Sequence, residues 1–358
     1  MKKYISILLS GLIVLGLMAG CGNQEAAETT APVETEPAID YSKYYSPWNY
    51  DVAAKAKEDG KLHYYFMSNE GVIINPAEVD STKYQWGDCC LIVFPNGQTM
   101  MIDSGFYEFR QVLYGNLQQM GIKELDYLVI THPHSDHQGG AIGTPKVTSD
   151  FLDIFKVKQV YHVAFNNPES EADELVKNVC AQKNVPAQFL EQGDSFTAGD
   201  VKVTVLWPEK GTSETMISGT PAVNNNSMVL HIGYGEHSAM FAADIYIAGE
   251  TFCMGANPDE LLDVDLLKIP HHGAKTSNSD FLLDTTTPEI AVGTGNRNIS
   301  DEILTRYTSR DINLLYNWCH GYIHIAVGAD GVMTAETTRT EPLAEMVAAD
   351  ATENTTEG

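Results

Sequence analysis

The sequence predicts a layered α/β domain with a single core. Short apolar runs rich in β-branched and aromatic residues alternate with helix-like segments between about residues 41 and 340. The alternation lacks the strict βαβ order of a doubly wound sheet, and no internal repeat is visible. The chain has 358 residues, of which 43% are hydrophobic, so it is long and apolar enough to bury one substantial core.

The first 21 residues have the composition of an export signal. Lys2 and Lys3 precede the apolar run 4–19, and Gly20 and Cys21 follow it. Small residues before a cysteine at this point are typical of a bacterial lipoprotein signal, whose cysteine is acylated. We therefore expect 1–21 to be a lipoprotein signal peptide, with Cys21 lipidated and the protein anchored to the outer side of the cell membrane. An ordinary signal peptide is the alternative.

The segments on either side of the core are acidic and poor in large apolar residues. Residues 22–45 are rich in Glu, Thr, Ala and Pro, which predicts a disordered tether. Residues 341–358 have a similar composition and are predicted to form a disordered acidic tail. The sequence thus assigns residues 46–340 to one folded domain.

The chain is strongly acidic, with 22 basic against 48 acidic residues and a formal net charge of −26. Such a field repels phosphate backbones, so long-range capture of nucleic acid is disfavoured unless bound metals or a local basic patch reverse it.

The six cysteines do not form a recognisable framework. Cys89 and Cys90 are neighbours, the three further along the chain are isolated, and no pair of CxxC spacings indicates a structural zinc. We expect buried free thiols, with a disulfide between two of the isolated cysteines as the alternative.

The apolar runs give the predicted elements in order. Predicted strands cover 62–67, 90–94, 99–102, 125–131, 159–163, 201–206, 228–232, 239–243, 266–269, 290–292 and 322–327. Predicted helices cover 108–120, 171–182, 280–283 and 302–308.

A cluster of metal-ligand residue types directly follows the predicted strand 125–131. Its members, within six positions, are His132, His134, Asp136 and His137. Imidazole and carboxylate groups are common ligands of zinc and related ions. Because the strand holds the loop, we expect the first two to face one ion and the last two to reach a second.

The sequence resembles the metallo-β-lactamase superfamily at four places in the expected order. These are MIDSG at 101–105, the cluster at 132–137, MFAAD at 240–244 and LKIPHHG at 267–273. The combination of GD at 87–88, NNNS at 224–227 and KIPHHG at 268–273 resembles ComEC-like metallo-hydrolase domains and secreted phosphorylcholine esterases. The resemblance implies a four-layer αββα sandwich.

The resemblance also implies roles for residues outside the first cluster. Asp103 would orient the metal loop, and Asp244 would bridge the two ions. His272 would complete the second site, leaving His271 to contact a substrate oxygen or to protonate a leaving group; the swapped assignment of the two histidines is the alternative. Asp136 would hold the second ion and orient the attacking hydroxide, so Asp136 and His271 are the expected catalytic residues.

One family feature is missing. Many members supply a further histidine to the first ion, where this chain has the asparagine-rich segment 223–227. The vacancy would be filled by Asn225, Asn226, a water or a distant histidine, and the candidates for the last are His162, His231 and His237. Residues 71–86 resemble an insertion.

The expected cofactors are two divalent metal ions, with zinc favoured and manganese or iron as alternatives. The expected activity is that of an exported phosphodiesterase-type hydrolase that uses a metal-bridging hydroxide on a small or polymer-attached surface ester. Asn226, Ser227 and Lys275 are the expected substrate contacts. The alternatives are a lactone or carboxylic-ester hydrolase, a ComEC-like nuclease, and a surface-binding lipoprotein without catalysis.

Overall fold

The computed structural model describes residues 46–68, 87–163, 172–211, 222–294 and 299–340. The predicted signal peptide, tether and acidic tail, and the insertion expected at 71–86, lie outside these ranges and stay predictions.

The described residues form two large sheets and a small hairpin. The strands are β1 (Leu62–Phe66), β2 (Cys90–Val93), β3 (Thr99–Ile102), β4 (Glu124–Ile130), β5 (Gly143–Thr144), β6 (Val147–Thr148), β7 (Lys156–Val163), β8 (Ala187–Leu190), β9 (Ser195–Ala198), β10 (Val201–Trp207), β11 (Val229–Tyr234), β12 (His237–Phe241), β13 (Leu266–Lys268), β14 (Ile290–Gly293), β15 (Asn313–Tyr316), β16 (Ile323–Val327) and β17 (Met333–Thr337). The first sheet has the order β17-β16-β1-β2-β3-β4-β7-β8, and the second has the order β15-β14-β13-β12-β11-β10-β9.

Ten helices are present among the described residues, and most of them pack on the outer faces of the two sheets. They are α1 (Val52–Asp59), α2 (Arg110–Gln119), α3 (Ser135–Gln138), α4 (Phe151–Ile154), α5 (Ala172–Lys183), α6 (Ala222–Asn225), α7 (Ile247–Ala256), α8 (Asp280–Thr286), α9 (Asp301–Thr308) and α10 (Asn317–His320). Short 3-10 turns cover Tyr107–Phe109, Asp259–Leu261 and Pro270–Gly273.

Successive side chains of each strand point to opposite faces of its sheet, and together they form three apolar layers. In β1, Tyr64 and Phe66 point into the core between the sheets, whereas Tyr65 packs in the outer layer beneath α1 and α2. On the other side, Met240 of β12 packs in the layer beneath α7, α8 and α9. The fold is therefore the expected four-layer αββα sandwich.

The predicted elements are present with small shifts at their ends, but the pattern missed several others. The missed strands include β8, β9, β15 and β17, which are the four edges of the two sheets. An edge strand is paired on one side, and β8, β9 and β17 are mostly exposed, so they lack the continuous apolar run used to recognise the rest.

The five cysteines of the described residues are buried free thiols, as expected. The alternative of a disulfide between two of the isolated cysteines is therefore wrong. Among the helices of the described residues, none combines the length and apolar character needed to cross a membrane.

Candidate metal centre

The candidate ligands converge because three strand ends meet at one edge of the sandwich. His132 to His137 follow β4 of the first sheet, whereas Asp244 follows β12 and His272 follows β13 of the second. Strands β12 and β13 pair in parallel, so the turns that carry Asp244 and His272 lie at the same edge. A hydrogen bond of 2.9 Å from Met228 N to Thr131 O joins the two sheets beside the loop.

His132, His134 and Asp244 form one group of candidate ligands. Each offers one ring nitrogen or carboxylate oxygen, and these atoms lie within 4.8 Å of one another. The Nε2 atom of His132 lies 3.0 Å from Nδ1 of His134 and 3.8 Å from Oδ2 of Asp244. This is the arrangement expected for the first ion.

Asp136, His137, Asp244 and His272 form a second group, whose ligand atoms also lie within 4.8 Å of one another. The Nε2 atom of His272 lies 3.1 Å from Oδ2 of Asp136, and Nε2 of His137 lies 3.3 Å from Oδ2 of Asp244. Asp244 belongs to both groups, so the structure brings together all six side chains expected to hold metal.

Two orphaned atoms show that a cation fits this cluster. Among the described residues, His137 Nε2 and Asp244 Oδ1 are buried without a hydrogen-bond partner. A buried polar atom without a partner is costly, and a cation between them would remove that cost. The mixed imidazole and carboxylate donors suit zinc, and also manganese or iron.

Without a cation, burial and the charges of neighbouring side chains act on the pKa values of the candidate ligands. Burial would lower the pKa of His137, but the carboxylates of Asp244, Asp103 and Asp136 hold it well above its ordinary value. Burial would raise the pKa of Asp244, but His137 and His272 hold it well below its ordinary value. Burial, with His137 and His134 nearby, lowers the pKa of His132 well below its usual range. Metal ions therefore compete with protons at this centre.

Asp103 lies beneath the loop and makes the contacts expected of a residue that orients it. Its Oδ1 accepts the Thr131 N–H at 2.8 Å, and its Oδ2 accepts the Thr131 hydroxyl at 2.7 Å. The same Oδ2 lies 2.7 Å from Nδ1 of His137, which donates to it. This fixes the tautomer that leaves Nε2 of His137 for a metal.

The two histidines of the KIPHHG motif face different surroundings, although both have positive φ angles, of 47° and 52°. The Nδ1 atom of His272 donates to the carbonyl of Thr294 at 3.0 Å, so its Nε2 faces the ligand cluster. His271 lies at the rim, where Nδ1 pairs with the Thr276 hydroxyl at 2.8 Å and the ring stacks on Tyr246. Its Nε2 is 3.8 Å from Oδ2 of Asp244.

The asparagine-rich segment 223–227 places near His271 an amide that was not among the residues predicted from the sequence. The Oδ1 of Asn225 accepts the Gly249 N–H at 2.9 Å, and Nδ2 of Asn226 donates to Ala222 O at 2.7 Å. Asn224 is the member that reaches the site, with Nδ2 3.5 Å from Nε2 of His271. Its position before Asn225 and Asn226 in the NNNS motif was the available signal.

The three distant histidines are occupied elsewhere or lie outside the ligand groups. His237 contacts the Tyr64 hydroxyl at 3.1 Å, and the ring of His162 packs on Phe189. His231 lies in the middle of β11, facing Met240 in the ladder. None of the three joins a group of metal-ligand atoms among the described residues.

The other expected substrate contacts, Ser227 and Lys275, both pair with other residues of the chain. Ser227 is fully buried, and its hydroxyl accepts the Asp244 N–H at 3.1 Å, which holds the turn carrying that ligand. Lys275 is exposed and pairs with Glu302 at 3.3 Å.

Sequence analysis missed the role of Asp88 and Lys268, which form a buried pair behind His272. The signals were present in the GD and KIPHHG motifs. Burial opposes ionisation of Asp88, but Lys268 and His272 lower its pKa to about 2.

The four-layer fold and this cluster are those of a metal-dependent hydrolase. The chain belongs to the metallo-beta-lactamase superfamily, whose family model matches residues 87–292.

Curated relatives extend this similarity. The chain is 27% identical over 252 residues to ComE operon protein 3 of Bacillus subtilis, covering 66% of this chain and 30% of the relative. It is 22% identical over 244 residues to Competence protein ComA of Neisseria gonorrhoeae, covering 65% of this chain and 30% of the relative. The chain thus spans less than a third of the length of these two relatives, and the expected ComEC-like resemblance is confirmed for that part.

Among solved structures, the metallo-beta-lactamase fold protein YhfI of Bacillus subtilis matches with a TM-score of 0.43 and 12% identity. The match covers 77% of this chain and all of that one.

Proposed function

We propose that this protein is a binuclear metal-dependent hydrolase of phosphodiester or phosphoester bonds. The observation that carries the proposal is the shared position of Asp244, whose carboxylate belongs to both groups of ligand atoms. A single carboxylate common to two ligand groups is the arrangement that holds two cations close together.

A bound pair of cations would supply a hydroxide nucleophile at neutral pH and polarise the attacked phosphoryl oxygen. The chain's own residues would supply orientation and proton transfer. Asp136 is a partly exposed member of the second group, where its carboxylate would orient the attacking group. His271 is half-buried at the rim, where Thr276 holds its Nδ1 and its Nε2 lies 3.8 Å from Oδ2 of Asp244, so this nitrogen would protonate a leaving group.

The substrate we propose is a small anionic or zwitterionic phosphoester, free or attached to a surface polymer. The net charge of −26 opposes capture of a long phosphate backbone, which disfavours a nuclease. A small ester carries little charge or includes a cation, so the acidic surface imposes a smaller penalty on its approach.

The activity is tested on the full chain loaded with zinc or manganese. The substrates are bis-p-nitrophenyl phosphate, p-nitrophenyl phosphorylcholine, a homoserine lactone and supercoiled DNA. We expect turnover of the phosphoesters, lost in His134→Ala and kept in the matched control His162→Ala. Cleavage of DNA at physiological salt without turnover of small esters would reject this substrate class, and turnover of the lactone alone would indicate the ester alternative.

We also propose that the protein is exported and anchored through lipid on Cys21. Radiolabelled palmitate should be incorporated into the wild-type chain and not into Cys21→Ala. Recovery of both forms in the soluble fraction would contradict the anchor while leaving the proposed hydrolase intact.

A further inference from the structure

A buried ion pair lies behind the second group of ligands. Asp88 and Lys268 are 5% and 4% exposed, and Nζ of Lys268 lies 2.8 Å from Oδ2 of Asp88. The ammonium also donates to the carbonyl of Ile269 at 3.0 Å. Burying two charges carries a large desolvation cost, and an apolar pair of similar volume is often as stable. The pair is therefore poorly explained by stability alone.

The other carboxylate oxygen of Asp88 is directed at His272. Its Oδ1 lies 3.1 Å from Nδ1 of His272, which also donates to the carbonyl of Thr294. The hydroxyl of Thr294 donates to the same Oδ1 of Asp88. Both partners of Nδ1 are acceptors, so Nδ1 carries the hydrogen and Nε2 presents its lone pair to the ligand cluster.

The backbone of the same residue contacts the opposite side of the second group. The Asp88 N–H donates to the carbonyl of Asp136 at 3.0 Å. Asp136 belongs to the loop of the first sheet, whereas His272 belongs to a turn of the second. One residue therefore fixes two members of the second group across the interface between the sheets.

We infer that Asp88, held in place by Lys268, is the positioning residue of the second cation site. With the carbonyl of Thr294 it sets the tautomer and the orientation of His272, and it fixes the separation of His272 from Asp136. This inference rests on the proposed binuclear centre and assigns a role to a residue pair that belongs to neither of its two ligand groups.

The test is stepwise zinc binding to the full chain, measured by calorimetry and by metal content after dialysis against buffered zinc. Loss of an outer carboxylate that orients a metal-binding histidine weakens metal affinity roughly 10 to 100-fold. Asp88→Asn should weaken one of two binding steps by about this factor and leave the other unchanged. The matched control is Asp126→Asn, because Asp126 also pairs with a lysine, Lys158, and accepts a backbone N–H, from Thr99, at the opposite end of β4.

A double-mutant cycle separates positioning from general destabilisation. The effect of Asp88→Asn on zinc affinity should disappear in a His272→Ala background, because no ring remains to be positioned. It should persist in a His134→Ala background, where the second group is intact.

A second variant distinguishes weaker zinc binding from a loss of folding. Asp88→Asn alone leaves the ammonium of Lys268 buried without a partner, whereas D88N/K268M removes both charges and should recover thermal stability. We expect zinc binding at the affected step to stay weak in D88N/K268M.

The outcomes distinguish this inference from the proposed function. Failure of the wild-type chain to bind two zinc ions would overturn both. Two unchanged binding steps in D88N/K268M, or an Asp88→Asn effect of equal size in the His272→Ala background, would overturn the positioning role alone.

Discussion

Asp103 accepts a hydrogen bond from Nδ1 of His137 at 2.7 Å, although the two residues are 34 positions apart in the chain. The Thr131 hydroxyl donates to the same oxygen and lies 3.1 Å from Nδ1 of His132. Because that hydroxyl uses its hydrogen on Asp103, it accepts from His132. One buried carboxylate thereby sets the tautomers of two candidate ligands, one in each group.

Replacing this carboxylate should weaken both cation sites. In Asp103→Asn, one oxygen becomes an amide nitrogen that cannot accept from His137, Thr131 or both. We expect zinc affinity to fall roughly 10 to 100-fold, with a comparable loss of phosphoester turnover at subsaturating zinc. Unchanged zinc affinity in a folded Asp103→Asn protein would contradict this role.

The shared carboxylate should be more important than any ligand of a single group. Asp244→Asn should lower metal content from near two ions per chain to well below one, because both groups lose a member. Its loss of activity should exceed the roughly 10 to 100-fold typical of an outer residue. His134→Ala should retain about one ion. Equal metal content in the two variants, measured by plasma mass spectrometry, would show that Asp244 is not shared.

The turn at Gly87 should not tolerate a side chain. Its φ is +79°, and an added Cβ would lie 2.2 Å from the carbonyl oxygen of Asp136. A strained backbone and a clash of this kind typically cost about 1 to 3 kcal/mol each. We expect Gly87→Ala to lower the melting temperature and to weaken zinc binding, whereas Gly60→Ala, also at positive φ but with nothing within 4 Å, should affect only stability.

The protein should lose stability in mild acid because of buried histidines outside the metal centre. Burial, reinforced by His63, lowers the pKa of His324 to about 4, against an ordinary value near 6.5. Between these values the unfolded chain binds the proton and the folded one does not, so the free energy of unfolding falls as pH drops from about 6.5 towards 4. At pH 5 this group contributes a loss on the order of 2 kcal/mol.

Replacing His324 should remove its contribution to the fall in the free energy of unfolding in acid. Urea unfolding of His324→Gln, with chelator present at every pH, should show a smaller difference between pH 7 and pH 5 than the wild type shows. An identical pH difference in the two proteins would mean that His324 titrates normally in the folded state.

The sequence predicted the parts of this molecule that depend on local pattern. Four candidate ligand residues within six positions predict a metal loop, and continuous apolar runs predict the central strands. The edge strands were missed because an exposed strand such as β17 needs no apolar run. Helix α7 was missed because two glycines and exposed apolar residues interrupt its amphipathic pattern.

Long-range contacts account for the rest of what was missed. Asp88 and His272 are 184 positions apart, and their contact depends on how the two sheets pack. Asn224, rather than Asn225 or Asn226, faces His271 because α6 and the turn after it direct the other two amides elsewhere. Such orientation is set by tertiary packing, which local composition does not encode.

The central claim is that two cations share the carboxylate of Asp244, and anomalous X-ray diffraction at the zinc edge tests it most directly. Crystals of the zinc-loaded protein should show two peaks, one between His132 and His134 and the other between His137 and His272, both in contact with Asp244. One peak, or two peaks of which one lies away from Asp244, would contradict the account.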